Sequence, residues 1–327
     1  MTLSDGIRRN IATVSKEERN RFRDAIIALN KRLFYPGRRN DPIVGGVSYW
    51  FKQDEVHQAT HVHGGPAFLP WHRELCNRFE MLLREADPDI SLHYWDWNTD
   101  PSYLKDGNGD FISLFTSDFM GSDNGPAGEP WISASFYNPH ANPYRGDFPF
   151  DLSHSNPFDP PRTLTREKKD GKPKLPYKDN KIIQEEEYPQ MRRMLEGNHN
   201  IVHNYIGGTI GDPHTSFRDP FVFLLHSNVD RLYATWQLQP GKQWRLDPYR
   251  IYGSESETTT TGTYPEAHIG IMSPLEPWAG VNALGAEEGV VETRPWASPE
   301  NEQIIKDSRH KSLVRYPPKY DTLLNNI

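Results

Sequence analysis

The sequence predicts a mainly α-helical protein with long irregular loops and a few short strands. Apolar residues recur at helical spacing in several long segments. Between about residues 100 and 180 this periodicity is lost, and Pro, Gly, Asn, Asp and Ser dominate. Histidines concentrate in two distant stretches, 57–72 and 199–226. We therefore interpret the helices as a scaffold that brings these two stretches together.

Composition limits the classes of protein to which the chain can belong. The 327 residues carry a formal charge of -7, which is a poor match to nucleic-acid binding. The single cysteine, Cys76, excludes an internal disulfide framework, and no apolar run is long enough for a membrane span. We expect one domain over 1–327, with a core at about 10–240 and a C-terminal segment, 241–327, packed on it. The polar N-terminus predicts a cytoplasmic location; export of the folded chain with a partner stays open.

The helix boundaries follow from capping residues and helix breakers. Ser15 is a predicted N-cap with Glu18 at the capping-box position, and Asp219 is an N-cap with Pro220 at the first helical position. Asp87 and the proline after it end a helix. The predicted helices are 15–34, 47–58, 70–86, 183–207 and 220–238. Short β-like pieces are predicted near 268–273 and 289–293.

The histidine spacing indicates a metal site. His199 and His203 are four residues apart in a predicted helix, so both imidazoles leave one face. His226 follows in a second helix among apolar neighbours, where an unpartnered imidazole would be costly. The upstream histidines are His57, His61, His63 and His72. Imidazoles without cysteine suit copper, although one set of three could hold zinc. Two sets on paired helices indicate a binuclear centre.

Several motifs resemble those of the tyrosinase family. Residues 68–75 (FLPWHREL) resemble its copper-A motif. Residues 199–203 (HNIVH), 219–223 (DPFVF) and 226–231 (HSNVDR) resemble its copper-B motif. Residues 94–97 (YWDW) and 118–121 (DFMG) are similar to bacterial tyrosinases. The resemblance covers roughly residues 10–240.

This resemblance implies a four-helix bundle that encloses a binuclear, type 3 copper site. The family comprises tyrosinases, catechol oxidases, o-aminophenol oxidases and, more distantly, molluscan hemocyanins. The implied cofactors are two copper ions, CuA and CuB, with O2 as co-substrate. The implied partner is a small phenolic or aminophenolic substrate. Neither nucleic acid nor a membrane is expected as a partner. A protein that delivers copper is a further candidate partner.

The resemblance also assigns ligands residue by residue. His199, His203 and His226 match the CuB ligands, and His63 and His72 match the second and third CuA ligands. For the first CuA ligand the choice lies between His57 and His61, and we prefer His57, at the end of the short helix. His61 stands where many relatives carry a cysteine bonded to the second ligand, so this chain should lack that thioether.

The implied reaction is hydroxylation of monophenols and oxidation of o-diphenols, and of o-aminophenols, to o-quinones or quinone imines. Asn200 and Glu196 match a pair that positions the water which deprotonates the phenol. The alternative for Glu196 is an ordinary helix-surface carboxylate. The compact stretch 53–63 resembles bacterial o-aminophenol oxidases. The residues expected to line the substrate pocket are Asn204, Ile210, Pro213, His214 and Phe223.

Two alternatives within the family remain. The first is a catechol or o-aminophenol oxidase without monophenolase activity, and the second is a hemocyanin-like O2 carrier. Among the other histidines, His93 is expected in the core or next to the metal ligands. We expect His140, His154, His268 and His310 at the surface.

Overall fold

In the computed structural model the residues that can be described are 5–34, 47–60, 62–128, 131, 164–256, 270–273, 275 and 310–323. Within them the helices are α1 (Lys16–Lys31), α2 (Tyr49–Thr60), α3 (Phe68–Ala86), α4 (Asp179–Gln184), α5 (Tyr188–Ile206) and α6 (Phe221–Gln237). The strands are β1 (Leu33–Phe34), β2 (Val47–Ser48), β3 (Leu104–Lys105), β4 (Phe111–Ile112), β5 (Asn124–Pro126) and β6 (Thr165–Glu167). They form three antiparallel pairs, β1–β2, β3–β4 and β5–β6. The predicted mainly α class is confirmed.

The predicted capping residues act largely as expected. The Ser15 hydroxyl accepts a hydrogen bond from the Glu18 backbone N–H at 3.1 Å. The Glu18 carboxylate turns inward, where it contacts the buried His93 ring at 3.2 Å. Asp219 accepts from the Phe221 backbone N–H at 2.9 Å, and its carboxylate also forms a two-pronged, fully buried pair with Arg166.

The single helix predicted over 183–207 was wrong, because the chain forms α4 and α5 there. Glu185 leaves the helical conformation after α4, and Pro189 lies in the first turn of α5. Proline lacks a backbone N–H and disfavours helix in the preceding residue, so an unbroken helix cannot pass through this position. Of the predicted β-like piece 268–273, the described part, 270–273, is a turn; 289–293 lies outside the described residues.

α3 and α6 form the centre of the bundle. α1 packs on α3 and on α2, and α4 and α5 pack on α6. The Phe79 ring stacks on Phe223 with centroids 3.6 Å apart, and Trp50 of α2 meets both rings edge-on. Phe223 is fully buried in this core. Its side chain fills the contact between α3 and α6, and its place in the substrate pocket stays a prediction.

A buried ionic cluster also joins α3 to α6. The Asp230 carboxylate of α6 accepts from Arg73 of α3, from Arg8 at 3.1 Å and from the Tyr320 hydroxyl at 2.8 Å. Arg8 also pairs with Glu80 of α3 at 2.8 Å. All five side chains are buried, so each charge relies on its partners rather than on water.

Two predictions about burial had opposite outcomes. His93 is fully buried, as expected, whereas His310 is also fully buried and its predicted surface position was wrong. It begins a short 3-10 helix that packs on α3. His140, His154 and His268 lie outside the described residues. Among the described helices, none combines the length and hydrophobicity that a bilayer crossing requires.

We predict that Asp230→Ala lowers the free energy of unfolding by about 3–5 kcal/mol. It leaves the buried Arg73 guanidinium without a carboxylate partner and removes one of the two carboxylates that pair with Arg8. Denaturant unfolding monitored by circular dichroism measures the change. The matched control is Glu85→Ala, which removes the half-exposed ion pair with Arg32 and should cost at most about 1 kcal/mol. Equal losses in the two variants would contradict the role given to the cluster.

Candidate metal centre

Six histidines from four helices and one loop converge in two triads. His57 comes from α2, His63 from the loop after it and His72 from α3. In the second triad, His199 and His203 come from α5 and His226 from α6. Within each triad the candidate ligand nitrogens all lie within 4.8 Å of one another. The chain therefore brings together the two histidine stretches that the sequence analysis singled out. His61 lies outside the described residues.

Backbone carbonyls set the tautomer of four of these imidazoles. In each, Nδ1 lies at hydrogen-bond distance from a carbonyl oxygen, which can only accept. The proton must therefore be on Nδ1, and Nε2 is left with a lone pair. The pairs are His57 with Pro213 at 3.1 Å, His72 with Phe68 at 2.8 Å, His203 with Ile210 at 2.7 Å and His226 with Val222 at 2.8 Å.

Two of these lone pairs have no donor to satisfy them among the described residues. The Nε2 atoms of His72 and His203 are buried and have no hydrogen-bond partner among the described residues. The Nε2 atoms of His199 and His226 are only 3.0 Å apart. Since His199 Nδ1 lies 2.8 Å from Asn200 Oδ1, both of these facing nitrogens can carry lone pairs. Two facing lone pairs repel each other, whereas a bound cation would be coordinated by both. A donor set made only of imidazoles suits copper.

The two triads are adjacent parts of one centre. The rings of His72 and His226 stack with centroids 4.9 Å apart and an interplanar angle of 11°. The His63 and His199 rings are 6.0 Å apart. The two triads thus meet through residues of different segments of the chain, which is the arrangement expected for two neighbouring metal ions.

Burial keeps the imidazoles in the neutral form that binds metals. Burial first, and then the neighbouring imidazoles, lower the pKa of His72, His199 and His226 well below the usual value. Burial also lowers the pKa of His203 to about 4. At neutral pH these four side chains therefore offer lone pairs rather than positive charges.

The rings of Phe217 and Phe68 pack against the histidines of the site. Neither residue was predicted to belong to it. The Phe217 ring stacks on His57 at 4.3 Å and approaches His226 at 4.9 Å. The Phe68 ring lies 4.6 Å from His72 and 5.0 Å from His199. Phe68 could have been found, because it is four residues before His72 on one helix. Phe217 carries no such signal, since it lies in a short 3-10 turn before α6.

Asn200 and Glu196 occupy different environments on α5. Asn200 is exposed, and its Oδ1 contacts His199. Glu196 is buried, and its carboxylate accepts from the Gly64 backbone N–H at 2.5 Å and from Arg192 at 2.9 Å. Burial raises the pKa of Glu196 despite the opposing effects of Gly64 and Arg192.

The predicted pocket residues fall at varied positions. Asn204 is exposed and donates to the Asn200 carbonyl at 3.0 Å. Ile210 is buried and Pro213 is exposed, and the carbonyls of both orient ligand histidines. His214 is half-buried in the same loop. Four of the five pocket candidates thus lie on α5 or on the segment after it, while Phe223 belongs to the core.

Comparisons with known proteins agree with this geometry. Residues 47–239 match the profile described as the common central domain of tyrosinase. A tyrosinase of Streptomyces lincolnensis is 30% identical over 249 residues, covering 71% of this chain and 82% of the relative.

Two solved structures share the fold. A variant of a polyphenol oxidase from Thermothelomyces thermophila superposes with a TM-score of 0.58 at 20% identity, covering 83% of this chain and 81% of that one. A functional unit of octopus hemocyanin superposes with a TM-score of 0.54 at 18% identity, covering 96% and 68%. The tyrosinase profile spans more than half of the chain. The two histidine triads of the chain fit the dicopper centre of the tyrosinase family. The protein therefore belongs to the tyrosinase family.

Proposed function

We propose that the protein is a type 3 copper oxidase that uses O2 to hydroxylate monophenols and to oxidise o-diphenols and o-aminophenols. The products are o-quinones or quinone imines. The observation that carries this proposal is the partial exposure of one histidine in each triad. One histidine of each triad, His63 and His203, is partly exposed, whereas the other four are buried. We propose that a small aromatic ring approaches the centre from the side of these two partly exposed rings.

The proposed ligands are the six converging imidazoles. His57, His63 and His72 would hold CuA, and His199, His203 and His226 would hold CuB. When bound, the copper pair supplies the binding of O2 and the electron transfer that phenol oxidation requires. The protein contributes the neutral imidazoles and the backbone carbonyls that orient them.

Asn200 and Glu196 are proposed to hold the water that takes the phenol proton. They are four residues apart on α5 and therefore share a face, beside His199. The Glu196 pKa, raised by burial, brings its carboxylate closer to the range of an effective proton acceptor. The residues proposed to line the pocket for the substrate ring are Asn204, Ile210, Pro213, His214 and Phe223.

Two runners-up differ in what they oxidise. An oxidase of catechols and o-aminophenols alone would share the six histidines but would not hydroxylate monophenols. A carrier of O2 would oxidise none of these substrates. The similarity to the hemocyanin fold is the reason to consider this alternative. We favour the enzyme because the described residues leave His63 and His203 partly exposed.

We predict that the copper-loaded wild type hydroxylates tyramine after a lag and oxidises catechol and 2-aminophenol without one. Asn200→Ala should lower monophenol hydroxylation by about 10²-fold, the lower range for a lost proton-transfer function. Catechol oxidation should change little, because catechol loses its protons more readily. Absorbance of the quinone measures both rates. Arg193→Ala, an exposed change on the same helix, is the control.

Reversible O2 binding without turnover of any of these substrates would refute the enzyme. Oxidation of catechol and 2-aminophenol alone would refute monophenol hydroxylation and the role of Asn200.

The ligand assignment predicts unequal effects of the two upstream histidines. His57→Ala should reduce bound copper from about two equivalents to about one, since His57 is a member of the first triad. His61→Ala should leave copper content unchanged. Inductively coupled plasma mass spectrometry of the dialysed proteins measures the content. Equal losses would overturn the choice of His57.

The low histidine pKa values predict acid sensitivity of the copper-free protein. The unfolded chain takes up protons below the usual histidine pKa of 6.5, whereas folded His203 resists until about 4. Between these values the unfolded state binds more protons, so the free energy of unfolding falls as pH falls, by at most about 1.4 kcal/mol per pH unit for each histidine. Urea unfolding at pH 7.5, 6 and 5 measures the slope. His203→Ala should show a shallower slope, and an unchanged slope would contradict this account.

A further inference from the structure

The loop that carries His63 poses a structural problem for the first triad. His63 lies between α2 and α3, whereas His57 and His72 are held by helices. The next residue, Gly64, has a φ of +71°, a conformation that favours glycine. A ligand on such a turn keeps its geometry only if neighbouring groups fix the backbone.

Two side chains of α5 hold this loop by its backbone. The Glu196 carboxylate accepts from the Gly64 N–H at 2.5 Å. The Tyr188 hydroxyl donates to the Pro66 carbonyl at 2.6 Å. Tyr188 and Glu196 are eight residues apart, about two helical turns, and so lie on one face of α5. Both are buried, so water does not compete for these hydrogen bonds.

The Glu196 side chain is itself held in position. Arg192, one turn earlier on α5, donates to its second oxygen at 2.9 Å and also contacts Glu255 at 3.2 Å. Both carboxylate oxygens of Glu196 are therefore engaged, one by the loop and one by the helix. A charge-assisted hydrogen bond to a backbone N–H is among the stronger contacts that a buried loop can receive.

The same helix continues into the second triad. α5 holds the loop of the first triad with its first half and presents His199 and His203 with its second half. The Phe68 ring lies near one histidine of each triad, with ring centroids 5.7 Å from His63 and 5.0 Å from His199.

We propose that Glu196 and Tyr188 are positioning residues that fix the His63 loop to α5, so that copper binding at the first triad depends on the helix that carries the second. This inference rests on the proposed function, in which both triads hold copper. It is separable from proton transfer by Glu196. Positioning requires only an acceptor oxygen facing Gly64, which a glutamine also has, whereas proton transfer requires the carboxylate.

The experiment measures the copper retained by the full chain after dialysis against EDTA, by mass spectrometry, together with the copper-dependent shift in melting temperature. Glu196→Ala should weaken copper binding at the first triad by about 10–100-fold, the usual effect of losing a group that orients a ligand, and should retain about one equivalent. Glu196→Gln should retain two equivalents. Tyr188→Phe, which loses one hydroxyl, should retain less copper than the wild type.

Double variants show which triad has lost its copper. Glu196→Ala combined with His203→Ala should retain none, whereas Glu196→Ala combined with His57→Ala should retain about one equivalent. The matched control is Glu74→Ala. Glu74 and Arg78 form a similarly buried pair with the same four-residue spacing, and Glu74 contacts neither triad. The control should retain two equivalents.

Glu196→Ala that retains two equivalents would overturn the proposal, as would a Glu196→Gln variant that loses as much copper as Glu196→Ala. If Glu196→Ala does not fold, Tyr188→Phe decides, and wild-type retention in that variant overturns the proposal. A wild-type protein that retains no copper would instead overturn the proposed function, and this inference with it.

Discussion

The buried carboxylate of Asp230 is the interaction on which the rest of the structure depends. It joins Arg73 of α3 and Arg8 of the N-terminal segment to α6 and receives the hydroxyl of Tyr320. Asp230 lies one turn after His226, and Arg73 is the residue after His72. Because a buried charge cannot slip away from its partners without a large cost, the cluster fixes how α3 and α6 lie along each other. The stacking of His72 on His226 follows from that register.

A second constraint acts on the imidazoles themselves. Four of them give their Nδ1 proton to a backbone carbonyl, two from the preceding turn of their own helix and two from the loop between α5 and α6. Carbonyls cannot donate, so these contacts direct the four Nε2 lone pairs into the centre before any metal binds. The cost is that the buried Nε2 lone pairs of His72 and His203 have no hydrogen-bond donor among the described residues, which a bound cation would relieve. Burial separately disfavours the charged imidazolium, and this lowers the histidine pKa values.

The helices and the histidine donors could be predicted, but several side-chain positions could not. Ser15 and Asp219 cap helices as their types and positions suggest. The prediction of an unbroken helix over 183–207 did not take account of Pro189. The local effect of this proline outweighs the apolar periodicity around it. The sequence also does not show that Phe223 stacks on Phe79 in the contact between α3 and α6. Periodicity reports which face of a helix is apolar, but not which neighbour covers that face.

The sequence by itself determined which donors are present and how those on one helix are spaced. His199 and His203 share a face because the helical period is about 3.6 residues, whatever the rest of the chain does. Only the tertiary structure decided which histidines meet, which nitrogen of each carries the proton, and that Glu196 reaches the backbone of Gly64. The physical reason is distance along the chain. Contacts within a turn follow from local geometry, whereas contacts between residues more than a hundred positions apart depend on how whole helices pack.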